Sequence, residues 1–166
     1  MPAYYYISVT IHLLAAFLWL GGMLFLAAVG APVLRTVEPP ELRQRLFHLL
    51  GTKFRAPGWM AIATLLVTGT INLHARGFLR WDGVLGTRVF WTTGIGMALA
   101  VKLLAVVLLV VMSAVHDFVV GPAAGRAVPG SPEAIALRKK TARLGRLSAV
   151  TGLLLIMAAV RLTRGG

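Results

Sequence analysis

Four stretches of this chain, at roughly residues 4–31, 57–75, 91–116 and 144–162, stay apolar for about 20 residues or more, the length an α-helix needs to cross a hydrocarbon core of ~30 Å. Within lipid each backbone N–H and C=O must find its partner inside the segment, so runs of this kind become helices and not open strands. The pattern predicts an all-α integral membrane four-helix bundle, one domain spanning residues 1–166. Composition agrees, with 58% hydrophobic residues, 13% charged residues and a mean hydropathy of +0.82, outside the soluble range. Pro32, Pro39 and Pro40 punctuate the end of the first run, Gly77 and Gly83 the second, and GPAAGRAVPGSPE at 121–133 the third. No internal repeat stands out. The opening MPAYYYISVTIHLL lacks a basic n-region and reads as the start of a retained span.

The 17 Lys and Arg outnumber the 5 Asp and Glu for a net charge of +12. In so apolar a chain these cations are loop anchors for anionic headgroups, and the expected partner is the lipid bilayer, not nucleic acid. Eleven of them fall in the first and third connections (Arg35 to Arg55 and Arg126 to Arg146), against five in the second connection and the C-terminal end. The positive-inside rule then predicts a multi-pass protein of the cytoplasmic (inner) membrane, with the N-terminus and C-terminus outside. Tyr4, Tyr5, Tyr6, Trp81 and Trp91 would form an outer aromatic belt, and Phe54 and Trp59 part of an inner one.

Polar residues inside the spans carry the functional signal. His12 lies about 12 Å below the outer end of the first helix and Lys102 about 16 Å below that of the third, at 1.5 Å per residue. His74 closes the second helix near the same side. A cation at that depth costs at least ~2.5–3.5 kcal/mol and usually has a job. No carboxylate of the chain sits within the spans to pair with Lys102. Two histidines at comparable depth on facing helices are what haem b requires of its axial ligands. His12 and His74 are therefore the expected iron ligands, Lys102 the expected catalytic or anion-stabilising group, and Arg76, Arg80 and Arg161 the expected propionate partners. Ala15, Ala16, Gly21, Gly22, Gly69, Gly94 and Gly96 would make room for the macrocycle. His116, beside Asp117 at the cytoplasmic end, is an additional candidate ligand, though its simplest reading is a helix end meeting water, and His48 reads as solvated in the first loop. With no cysteine, a copper site would have to use His12, His74 and Met23 or Met97. A single haem is expected, exchanging electrons with a quinone or an extracytoplasmic carrier, as a relay or as an oxidoreductase.

Two segments carry a resemblance. IHLLAAFLWLGGMLFL (11–26) resembles the first helix of the copper-resistance protein D (CopD) family, in which a His precedes small residues and Trp-x-Gly-Gly. VKLLAVVLLVVMSAVHDFVVGP (101–122), with a Lys and a His fourteen residues on, resembles small CopD-like proteins and also the HemJ-type protoporphyrinogen IX oxidases. The first resemblance implies copper handling or uptake. The resemblance to HemJ-type oxidases implies a haem b protein acting in porphyrinogen oxidation, with His12 and Lys102 as its essential pair.

Overall fold

The computed structural model describes residues 2–79 and 84–163, the side chain of Thr163 excepted, and among these it is all-helical. Four helices are long and apolar enough to cross a membrane: α1 (Ala3–Arg35), α2 (Pro40–Ala75), α3 (Gly94–Arg126) and α4 (Pro132–Thr163). α1 packs along α2 and α3 along α4, so the chain forms two helical hairpins that meet chiefly through α1 with α4 and α2 with the end of α3. Trp19, Ala61, Ile62 and Leu109 make one core cluster, and Phe90, Ala98, Leu99 and Leu162 a second. Large apolar side chains point outward, Phe17 at 83% exposure and Met60 at 70%. Such a surface is untenable in water and suited to acyl chains.

The helices outrun the expected spans. α2 begins at Pro40, with Glu41 in its first turn, and continues through Pro57. Apolarity marks the hydrocarbon segment but not the amphipathic helix beneath it, so the expected first loop is mostly helix. α3 begins after a short helix at Arg88–Thr92 and runs on to Arg126, and α4 starts at Pro132, a dozen residues before the expected 144. In α1 and α3 the α-helix widens to a π-helix at Leu26–Gly30 and Val115–Val120, each just before a Gly/Ala-Pro step. Proline lacks an N–H and crowds the carbonyl four residues back. The residue before it bonds five residues back instead, Ala31 to Leu26 and Gly121 to His116.

Contrary to the sequence expectation, the second hairpin repeats the first. The buried positions Ser8, Ala15 and Trp19 of α1 recur 90 residues later as Ala98, Ala105 and Leu109 of α3 (8 to 98, 15 to 105, 19 to 109). In α2 and α4 the buried Gly58, Ile62 and Thr68 recur at the same offset as Ser148, Gly152 and Ala158. The π turns and the prolines Pro32 and Pro122 follow suit. At this offset Lys102 occupies the place of His12.

Candidate functional site

The site grows from a polar stripe on α2. Thr64, Thr68, Asn72 and Arg76 are spaced one turn apart and therefore share a face. Opposite them, Ser8 and His12 lie one turn apart on α1. The Ser8 hydroxyl donates to the Thr68 carbonyl at 3.3 Å, and the Thr68 hydroxyl donates to the Thr64 carbonyl at 2.6 Å. His12 Nδ1 stands 2.8 Å from the Thr68 hydroxyl oxygen. A hydroxyl has one proton. With its proton on the Thr64 carbonyl, the Thr68 oxygen can accept from an Nδ1–H of His12. The Thr68 hydroxyl thus fixes the ring of His12, and the Leu65 carbonyl lies within hydrogen-bonding reach of the same imidazole.

Cations gather around this ring. Lys102, half-buried on α3, is within electrostatic reach of His12 on one side and of Arg76 on the other. Arg76 also donates to the Leu162 carbonyl at 3.3 Å, tying the end of α2 to that of α4. No ion pair joins Lys102 to a carboxylate among the described residues. Asn72 Oδ1 is buried with no hydrogen-bond partner among them. The site thus combines an imidazole held by Thr68, two cations and an orphan acceptor.

Of the expected site residues, the structure brings His12, Lys102 and Arg76 together. His74 is exposed and lies about 120° around α2 from Thr68, about 9 Å further along. Arg161 is exposed in the last turn of α4. Arg80, like Trp81, lies outside the described residues. Several of the small residues have other work: a Cβ on Gly22 would stand 2.6 Å from the Phe54 ring, and one on Gly96 would overlap the Phe90 carbonyl. Gly69 does face His12, where an added Cβ would meet Cε1 at 3.5 Å. Ser8, Thr64 and Asn72 are absent from the sequence reading, and their signal was the four-residue spacing toward His12 and Arg76.

His116 is no helix end meeting water. It sits half-buried in the π turn of α3, its Nδ1 2.8 Å from Asp117 Oδ1, while Trp59 Nε1 donates to Asp117 Oδ2 at 2.9 Å. His48 is exposed but packs on α3, where a Cβ on Gly125 would come within 2.6 Å of its Nδ1. Among the described residues no three His, Cys, Asp or Glu side chains converge as a metal cage would.

No family profile matches the chain, and no solved structure matches it. It is similar, at 37% identity over 65 residues, to an uncharacterized protein of Aquifex aeolicus (strain VF5). That similarity covers 39% of this chain and 44% of the other, under half of each.

Proposed function

We propose that the chain is a membrane redox protein that binds haem b through His12, in the half of the bundle opposite its basic end. The observation that carries this reading is the Thr68 contact, which holds the His12 imidazole in a fixed orientation inside a span. Bound haem supplies one-electron chemistry, for electron transfer or for oxidase turnover. The protein's part is to orient the imidazole through Thr68, to meet carboxylates of the ligand with Lys102 and Arg76, and to keep water away with the packed helices around Trp19. The resemblance to HemJ-type oxidases favours the same pairing of His12 with Lys102. The exposure of His74 makes His12 the imidazole that the geometry supports best. Copper, the other expectation, would call on His12, His74 and Met23 or Met97, and His74 and Met97 are both exposed. On the positive-inside argument the His12 side faces outward across the inner membrane, where a quinone or an extracytoplasmic carrier would exchange electrons.

Absorbance spectra of protein purified after expression with ample haem test the proposal. A Soret band is expected in the wild type and in His74→Ala, and its loss in His12→Ala. A wild-type protein with stoichiometric copper and no Soret band would overturn it.

A further inference from the structure

A second polar site lies at the other end of the molecule. A cavity of about 230 Å³ opens where α1, α2, α3 and α4 converge beyond the apolar spans. α2 lines it with one continuous stripe from Arg43 through His48 to Arg55. Arg35 enters from the end of α1, Arg138 from α4, and His116 with Asp117 from the π turn of α3. A neighbouring groove shares Arg35 and Arg138, adds Lys139 and Arg146, and has no carboxylate in its lining.

The charges in this cavity do not balance. Four guanidinium groups face it and Asp117 is its one carboxylate. Both oxygens of Asp117 are already engaged, by Trp59 and by His116. Glu38 is held at 3.3 Å by one terminal nitrogen of Arg43, outside the lining. The Nε–H groups of both Arg43 and Arg55 are buried with no hydrogen-bond partner among the described residues. Buried donors on charged groups are costly to leave unpaired, and forked guanidinium donors suit tetrahedral oxyanions. The hydroxyls in the lining do not fill the need: Thr52 and Thr141 donate to the Leu49 and Leu137 carbonyls, and neither oxygen accepts from the Nε–H of Arg43 or Arg55. Basic cavities between membrane helices at the basic end of a bundle are where phosphate headgroups are held.

We propose that this cavity binds a phosphate group, carried by an anionic phospholipid of the adjoining leaflet or free in the water phase, with Arg43 and Arg55 as its inner donors. The site is independent of the His12 cluster and its test does not read haem.

Protein delipidated in a neutral detergent is titrated with phosphatidylglycerol, phosphatidylcholine and inorganic phosphate, followed by thermal unfolding and by native mass spectrometry. Saturable stabilisation and a retained one-to-one adduct are expected with phosphatidylglycerol and not with phosphatidylcholine. The same response to inorganic phosphate alone would support the site and assign the water phase as its source. The double variant Arg43→Gln/Arg55→Gln should weaken binding about tenfold or more, because two charge-assisted contacts are lost. Arg45→Gln/Lys53→Gln removes the same charge from exposed positions of the same helix that do not line the cavity, and should stay within about twofold of wild type. Equal loss in both double variants means diffuse attraction and overturns the proposal, as does a wild type that ignores phosphatidylglycerol and phosphate alike. If the first double variant does not accumulate, the wild-type discrimination between headgroups decides alone.

Discussion

A hydroxyl that gives its proton to a carbonyl keeps a lone pair with which to hold an imidazole N–H, and Thr68 stands 2.6 Å from the Thr64 carbonyl and 2.8 Å from His12 Nδ1. Thr68→Val keeps the shape and removes the hydroxyl, so His12 loses the hydrogen bond that orients its ring. Haem affinity should fall by about 10–100-fold, the usual cost of losing a partner behind a ligand, while thermal unfolding in detergent changes little. A haem titration that matches wild type would mean that Thr68 only packs. Lys102 separates along a different axis. Lys102→Met removes a cation from a span and with it an insertion cost of ~2.5–3.5 kcal/mol, so stability should hold or rise. The haem reduction potential should drop, because a nearby positive charge favours the reduced, more negative state. An unchanged potential in a redox titration would place the amine away from the bound group. Lys102 was legible in the sequence as an anomaly, since one charge in AVKLLAVVLLVVM is conspicuous. Asn72 was not, because an amide near the end of a span looks like interfacial decoration until its oxygen is seen buried without a partner.

At the scale of elements, apolar length locates the spans and misses what continues them. The segment 40–56 carries charges all along it and looks like a loop, yet it alternates so that Arg43, Phe47, Gly51 and Arg55 share one face of α2. Pro57 reads as a helix start, but inside lipid its missing N–H is tolerated and α2 runs through it. The π turns escape detection altogether, because their cause is a local contest between a proline and the carbonyl four residues before it. One junction is unforgiving. Between the helix Arg88–Thr92 and α3, the Thr93 hydroxyl accepts from the Gly96 N–H at 3.0 Å, and a Cβ on Gly96 would overlap the Phe90 carbonyl. That atom is backbone and cannot swing aside. Gly96→Ala should therefore cost about 1–3 kcal/mol in unfolding experiments, the range for overpacking, whereas Gly69→Ala meets only the 3.5 Å contact with His12 and should be tolerated. Equal melting temperatures for the two variants would contradict this reading of the junction.

The whole molecule is a hairpin used twice, and this bears on which end faces which side. Identities at the 90-residue offset are few, among them Leu13, Leu14 and Ala15 with Leu103, Leu104 and Ala105, and Pro32 with Pro122. Small apolar residues recur by chance in any membrane span, so only the matching burial makes the repeat visible. Because the repeat runs in the same direction, α1 and α3 enter from one side, and the connections after Arg35 and after Arg126 lie together on the other. The cations of both connections then add at one end, around the cavity of Arg43 and Arg55, while the His12 cluster occupies the other half. The repeat sets both basic connections on one side, and the positive-inside bias predicts that this side is the cytoplasm. A reporter fused after Gly166 should be active in its periplasm-requiring form, and one inserted between Val128 and Ser131 active only in its cytoplasm-requiring form. The reverse pattern would set eleven basic residues on the outside against the positive-inside bias. It would also turn the His12 cluster toward the cytoplasm, exchange the leaflets available to the two sites, and remove the case for an extracytoplasmic electron partner.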